Sequence, residues 1–218
     1  ALIELDDPVR GRLLVGSGKT VVLLGPSGAG KTRLIRALLG LEEARREPVL
    51  SVRGRRARPR ELAALVGWVP EGDGVFLSDS IWDNVAHPPG VTPNDPNLAR
   101  DALDLVGLAE RAREPVANLH RRGRRRVALA RAIASRRPLL VVDGELDPTL
   151  WALLPGVLEQ APGVESVLLA TATAGDRAWK ADTVALVSDE RLVAQASLAE
   201  LVDSTDPEVR AVLSWVSL

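Results

Sequence analysis

Buried apolar runs alternating with helical stretches predict an α/β domain on a mostly parallel sheet. Three observations carry that prediction. Val21–Leu24 and Leu139–Val142 are unbroken apolar runs, as strands covered on both faces require. A glycine-rich loop joins the first run to a helical stretch. A length of 218 residues with 46% hydrophobic content suffices for one ordinary domain with a buried core.

Taken in order, Ile3–Leu5 and Arg12–Val15 read as short strands, and Thr20–Leu24 as a buried one. Thr32–Leu39 reads as a helix stopped by Gly40. Val49–Arg53 is a candidate strand, Arg60–Leu65 a short helix opened by Pro59, and Gly67–Val69 a strand. Helical patterns fill Ile81–Ser135, broken at Pro88-Pro89-Gly90 and Thr92–Pro96. The strand Leu139–Val142 ends at Asp143. Leu150–Leu158 follows as a helix and Ser166–Thr171 as a strand. Val184–Val187 and Arg191–Ala194 form a hairpin around Ser188-Asp189-Glu190, and Leu198–Leu201 and Pro207–Trp215 are helices.

The loop Gly25-Pro26-Ser27-Gly28-Ala29-Gly30-Lys31-Thr32 fits G-x-x-x-x-G-K-[ST] and lies between a strand and a helix. Its glycines let backbone N–H groups close around phosphate oxygens, and the helix start adds its positive end. Lys31 is placed to reach the terminal phosphates and the Thr32 hydroxyl to ligate Mg²⁺. Upstream, Gly16-Ser17-Gly18-Lys19-Thr20 ends like such a loop, but Leu13 stands where its first glycine belongs. It precedes a strand and reads as a turn.

A net charge of −1 gives no global attraction to nucleic acid, and no nucleic-acid partner is expected. No apolar run approaches the ~20 residues that cross a bilayer, and no signal-peptide pattern is visible. Cysteine is absent, which excludes disulfides and thiolate chemistry and fits a cytosolic protein. Lys19, Lys31 and Lys180 are the only lysines, so one of three lies in the loop.

A phosphate loop alone does not choose among kinases, GTPases and transport ATPases; the later segments do. Trp68-Val69-Pro70-Glu71 follows a strand, then come Val75–Val85, Asn118–Ile133 and Leu139–Asp143. Over nearly the whole chain this order resembles the ATP-binding subunit of ABC transporters, with its Q-loop, helical subdomain, signature helix and Walker B strand. The Arg124–Ile133 stretch is typical of that signature helix. The resemblance implies a P-loop NTPase fold of the ABC ATPase type. It has a mostly parallel sheet core, a small antiparallel N-terminal β part and a helical subdomain. It implies one domain over 1–218: a RecA-like core at 1–73 and 136–218, a helical subdomain at 74–135, and closing helices in 197–218. Asp206-Pro207-Glu208-Val209-Arg210-Ala211-Val212-Leu213 further resembles the tail of Mla/MCE-type lipid transporter ATPases.

Several positions depart from that family. Glu71 replaces the glutamine that contacts Mg²⁺ and the attacking water; a carboxylate there adds repulsion toward a γ-phosphate. Leu119-His120-Arg121-Arg122-Gly123 replaces the L-S-G-G-Q clasp, and Arg121 and Arg122 either reach phosphate as charged donors or stand solvated. Asp143 keeps the metal-side carboxylate, but Gly144 stands where the catalytic glutamate belongs, a loss worth on the order of 10²–10⁴ in rate. Glu145 is the candidate substitute, displaced by one position. Leu146-Asp147 can serve as the interface loop. Ala172 occupies the switch-histidine position, and His87 and His120 lie elsewhere. No aromatic residue in the N-terminal segment can stack on adenine; Arg10, Arg12, Ile3, Leu5 or no residue at all are the alternatives. Trp68, Trp82, Trp151, Trp179 and Trp215 read mostly as core or interface residues.

The resemblance thus implies a degenerate ABC subunit that binds Mg²⁺-ATP and hydrolyses it slowly or not at all. The nucleotide contacts fall to Gly25–Thr32, Glu71 and Asp143, and Mg²⁺ to Thr32 and Asp143. It would pair with a second ATP-binding subunit, identical or different, and dock on a membrane permease through Val75–Val85. It would lie in the cytoplasm on the inner membrane face. An active ATPase using Glu145, and a non-transport scaffold or nucleic-acid protein, are the alternatives.

Overall fold

The apolar strand Thr20–Leu24 organises the protein, because its side chains from Val21 onward are almost fully buried. This computed structural model describes residues 2–42, 49–72, 74–87, 95–145, 148–173 and 180–216. The breaks expected within 88–94, the interface loop Leu146-Asp147 and Trp179 lie outside the described residues. The chain divides into two compact units, one of 1–65, 143–145 and 166–218, the other of 66–142 and 146–165.

In the first unit, β1 (Ile3–Asp7) pairs antiparallel with β2 (Gly11–Val15) and β4 (Val49–Val52). β4 also pairs with β5 (Arg55–Ala57), giving the order β2-β1-β4-β5. This is the expected antiparallel N-terminal part, but β5 has no apolar alternation to announce it. Its cause is the turn at Arg53 (φ 49°) and Gly54 (φ 76°), both left-handed, which folds the chain straight back on β4. The other sheet strands of this unit run β10-β9-β3-β8. β3 (Thr20–Leu24) is parallel to β8 (Ser166–Thr171) and β9 (Thr183–Ser188), and β10 (Arg191–Ala196) is antiparallel to β9. Helix α1 (Lys31–Leu38) buries Leu34, Ile35, Ala37 and Leu38. It ends where Gly40 (φ 69°) turns left-handed and the Leu41 amide bonds the Arg36 carbonyl at 2.8 Å. Helix α2 spans Pro59–Ala63.

The second unit pairs β6 (Val66–Val69) in parallel with β7 (Leu139–Asp143), whose last residue belongs to the first unit. Helices α3 (Ile81–Ala86) and α4 (Pro96–Leu105) start at the capping residues Ser80 and Asp95. Helix α5 (Arg121–Ala134) packs on α3, α4 and β6, and α6 (Pro148–Gln160) packs on α4. In this unit β6, α6 and most of β7 cluster with the helices. Helices α7 (Leu198–Val202) and α8 (Pro207–Trp215), in the first unit, are capped by Ser197 and Asp206.

The arginines of α5 mostly serve as struts. Arg124 donates to the Leu119 carbonyl at 2.9 Å, Arg125 to the Pro70 carbonyl, and Arg126 to Val106 and to Thr149 Oγ1. Arg131 lies under the Phe76 ring, 6.0 Å from its centre, and burial lowers its pKa. Arg121 and Arg122, in contrast, are exposed.

Candidate functional site

Helix α1 begins without a side-chain cap and without an acidic residue in its first turn. Its first N–H groups are therefore not taken by a capping side chain, which suits an anion. Gly30 is its N-cap at φ 94°, and Gly28 sits at φ 84°. A Cβ added at Gly28 would meet none of the described atoms within 4 Å, so the loop is open there. Lys31 Nζ donates back to the carbonyls of Gly25 (2.6 Å) and Pro26 (2.9 Å). The Ala29 amide bonds the Pro26 carbonyl at 3.1 Å and tightens the turn.

Thr32 Oγ1 donates to Asp143 Oδ1 at 3.0 Å, with Asp143 only 2% exposed. The two metal candidates, 111 positions apart in sequence, thus meet at one point. No cluster of three or more His, Cys, Asp or Glu that could hold a metal occurs among the described residues. A hydroxyl and a single carboxylate fit Mg²⁺ only if phosphate oxygens and water complete its shell, which is how the ion ordinarily binds beside a nucleotide. Thr32 and Asp143 fit that role.

The loop is braced by the tip of the β9–β10 hairpin. Glu190 donates its amide to the Ala29 carbonyl at 2.8 Å, and its carboxylate pairs with Arg33. A Cβ on Gly30 would lie 2.6 Å from Glu190 Cγ. Asp189 and Glu190 both adopt the left-handed conformation, at φ 47° and 62°. Hydrophobic patterning reveals the hairpin but not this contact, and Glu190 is the functional neighbour that sequence reasoning missed. Lys19 of the upstream turn instead pairs with Asp182 at 2.7 Å, as expected of a residue outside any phosphate site.

On the other side of Asp143 the backbone turns sharply. Gly144 sits at φ 87°, with its amide on the Ala170 carbonyl at 3.0 Å. Glu145 follows, and its carboxylate is held by the β8 end. Thr171 Oγ1 donates to both oxygens at 2.9 Å, the Ala172 amide at 2.8 Å and Thr173 Oγ1 at 2.7 Å. The position expected to carry a switch histidine thus contributes a backbone N–H to Glu145. Partial burial pushes the Glu145 pKa up, but the bonds from Thr173, Ala172 and Thr171 outweigh it and leave the group below the ordinary glutamate range. A lowered native pKa adds stability that is complete above the unfolded value and is lost as pH falls through the native one. Melting curves taken from neutral pH down through the carboxylate range should show wild type losing stability more steeply than Glu145→Gln. Parallel curves would remove the clasp as the cause.

Glu71, Arg121 and Arg122 belong to the second unit and are exposed there. His87 and His120 lie at helix ends, both exposed. Of the four stacking alternatives, Ile3 and Leu5 are buried and Arg10 binds Asp7 at 3.2 Å in a mostly buried pair, whereas Arg12, which binds Glu4 at 2.7 Å, keeps its side chain 60% exposed. Trp68, Trp82 and Trp151 are half-buried, whereas Trp215 is 76% exposed.

Residues 11–147 match the family model described as ABC transporter. The chain is 36% identical over 200 residues to a methionine import ATP-binding protein of Mesorhizobium japonicum, covering 84% of this chain and 54% of that protein. It is 32% identical over 203 residues to an aliphatic sulfonates import ATP-binding protein of Pseudomonas entomophila, covering 91% of this chain and 72% of that one. Against the first of these relatives, then, the chain spans about half of their length. Among solved structures, cbiO1 of Clostridium perfringens, part of the ABC transporter complex cbiONQ, superposes with a TM-score of 0.76 at 18% identity. That superposition covers 97% of this chain and 94% of the other.

Proposed function

This chain belongs to the ABC transporter family, and from that footing we propose that it is the ATP-binding subunit of an importer that grips Mg²⁺-ATP far better than it cleaves it. The observation that carries the proposal is the contrast around Asp143. On one side, Thr32 and the glycine loop have the form a Mg²⁺-nucleotide needs. On the other, Gly144 is left-handed and Glu145 is clasped by the β8 end. A general base works best with a pKa near the working pH, and Glu145 is shifted the opposite way. When bound, Mg²⁺ would neutralise phosphate charge; this chain's own residues supply the grip.

The relatives' names support import, and family membership supports a permease and a second ATP-binding subunit as partners, at the inner face of the membrane. Among the described residues no helix is long and apolar enough to cross a membrane. The docking surface we assign to the permease is the 75–85 region, where Phe76 and Leu77 are 53% and 45% exposed. Asn84 holds that loop, accepting from the Phe76 amide at 2.8 Å and donating to its carbonyl at 2.9 Å. Nucleic acid is not among the proposed partners, since Arg124, Arg125 and Arg126 are spent on internal acceptors.

The test is calorimetric titration with Mg²⁺-ATP beside a phosphate-release assay. Binding with turnover at the background rate supports the reading; turnover that vanishes in Lys31→Ala would favour the active alternative. Gly144→Glu sharpens this. A glutamate at φ 87° pays about 1–2 kcal/mol for the left-handed backbone. It should lower stability in urea melts by that amount and leave phosphate release unchanged, and a hundredfold gain in release would refute the explanation.

The tail's resemblance to Mla/MCE-type lipid transporter ATPases is the ground for a second reading, a lipid as cargo. The tail's Asp-Pro pair is accounted for by helix capping, since Asp206 accepts from the Glu208 amide at 2.8 Å and Pro207 opens α8. The relatives are named for methionine, sulfate, iron and sulfonates. Mass spectrometry of extracts from the complex with its permease separates the two readings: a bound lipid supports the second, and a small polar solute the first.

A further inference from the structure

We propose that the arginine-rich border of the antiparallel sheet rests on an anionic lipid surface and binds its phosphate headgroups by charge. Five of the eight residues from Arg53 to Arg60 are arginine, and no acidic residue occurs from Pro48 to Arg60. The chain as a whole carries −1, so its total charge conceals this local excess. The fold gathers the arginines at one border. Arg53 and Gly54 form the left-handed turn, Arg55 and Arg56 lie on β5, and Arg58 and Arg60 flank Pro59 at the start of α2. β5 is the last strand of the order β2-β1-β4-β5. All five arginines are exposed.

Internal structure does not account for them. Arg55, Arg56, Arg58 and Arg60 form no ion pair among the described residues. The next acid in sequence, Glu61, accepts instead from the Arg58 amide at 2.8 Å. A charge or two keeps an edge strand from pairing with another chain, and five arginines exceed that need. Three points select a membrane over a nucleic acid. Residues 48–65 contain no aromatic side chain on which bases could stack. β4 is paired with β1 on its far side, so the hairpin is the margin of a sheet and not the free two-stranded ribbon that a major groove admits. Val49 is 47% exposed and shares a face of the sheet with Arg56, which stands opposite Ser51. An apolar side chain among basic ones suits the headgroup boundary. The inference rests on the proposed position beside a permease, but its test needs neither permease nor nucleotide, so either reading can fail alone.

The test is flotation of the protein with vesicles of phosphatidylcholine alone and of phosphatidylcholine mixed with phosphatidylglycerol. Wild type should float with the mixed vesicles only, and less as salt is raised. Each basic residue at an anionic surface contributes roughly fivefold in affinity, so Arg55→Gln, Arg56→Gln and Arg58→Gln combined should weaken binding about 100-fold. Lysine at the same three positions should keep most of the affinity, since the surface responds to charge. Arg121→Gln with Arg122→Gln, at the exposed arginines of the second unit, should float as wild type does. The replaced side chains hold no ion pair among the described residues, so urea melts of the variants should match wild type. If the triple glutamine variant unfolds, Arg56→Gln alone should still weaken binding about fivefold. Four results overturn the proposal: equal flotation with both vesicle types, unchanged affinity in the glutamine variants, an equal loss in the variant at 121 and 122, or a gel shift with duplex DNA or RNA in the absence of vesicle binding.

Discussion

Gly25→Ala should destabilise the protein by about 3 kcal/mol or more, the upper range of overpacking into a rigid wall. Its new methyl would stand 2.2 Å from the Val187 carbonyl oxygen, in the strand paired directly with β3. Backbone cannot give way there without parting β3 from β9. Gly28→Ala is the control. Its methyl meets open space, so only the left-handed backbone (φ 84°) is strained, at about 1–2 kcal/mol. Urea unfolding of the two variants should separate clash from strain. Equal losses would mean that the loop moves away from β9 at little cost.

Lys31→Ala should weaken Mg²⁺-ATP binding by about 100-fold, the effect of losing two hydrogen bonds to a charged acceptor. Without ligand, Lys31 ties the loop through Gly25 and Pro26. The same variant should therefore also lose roughly 1–2 kcal/mol of stability in the absence of nucleotide. Melts with and without Mg²⁺-ATP read both effects at once: the upward shift that nucleotide gives wild type should nearly vanish in the variant. A full shift in Lys31→Ala would show that the lysine belongs to the loop's own architecture and not to its ligand.

Local chemistry was legible in the amino-acid sequence wherever its cause was local. The apolar runs became β3 and β7, Gly40 closed α1, and the turn at Gly16–Thr20 proved to be a turn. The meeting of Thr32 with Asp143 was also foreseeable, because a strand after a phosphate loop commonly ends in its metal carboxylate. What stayed hidden depends on contacts between distant segments or on a dihedral angle. A glycine at 144 is visible in any reading of the chain, yet its φ of 87° is not, and that angle decides whether a carboxylate could be restored there. Glu145 reads as a free candidate base until Thr171 and Thr173, some 26 residues on, are found holding it. β5 carries two arginines and an alanine, and only the turn before it makes it a strand. Nor does α6 carry a local signal that it packs on α4.

The hydrogen bond from the Glu190 amide to the Ala29 carbonyl welds a two-residue hairpin tip to the phosphate loop. Amide exchange at that position is consequently a ligand-free gauge of loop integrity. The proton there can swap with solvent only when the tip lifts, and lifting the tip removes the brace behind Gly30. Slow exchange at residue 190 therefore means that the cradle spends most of its time assembled before any nucleotide arrives.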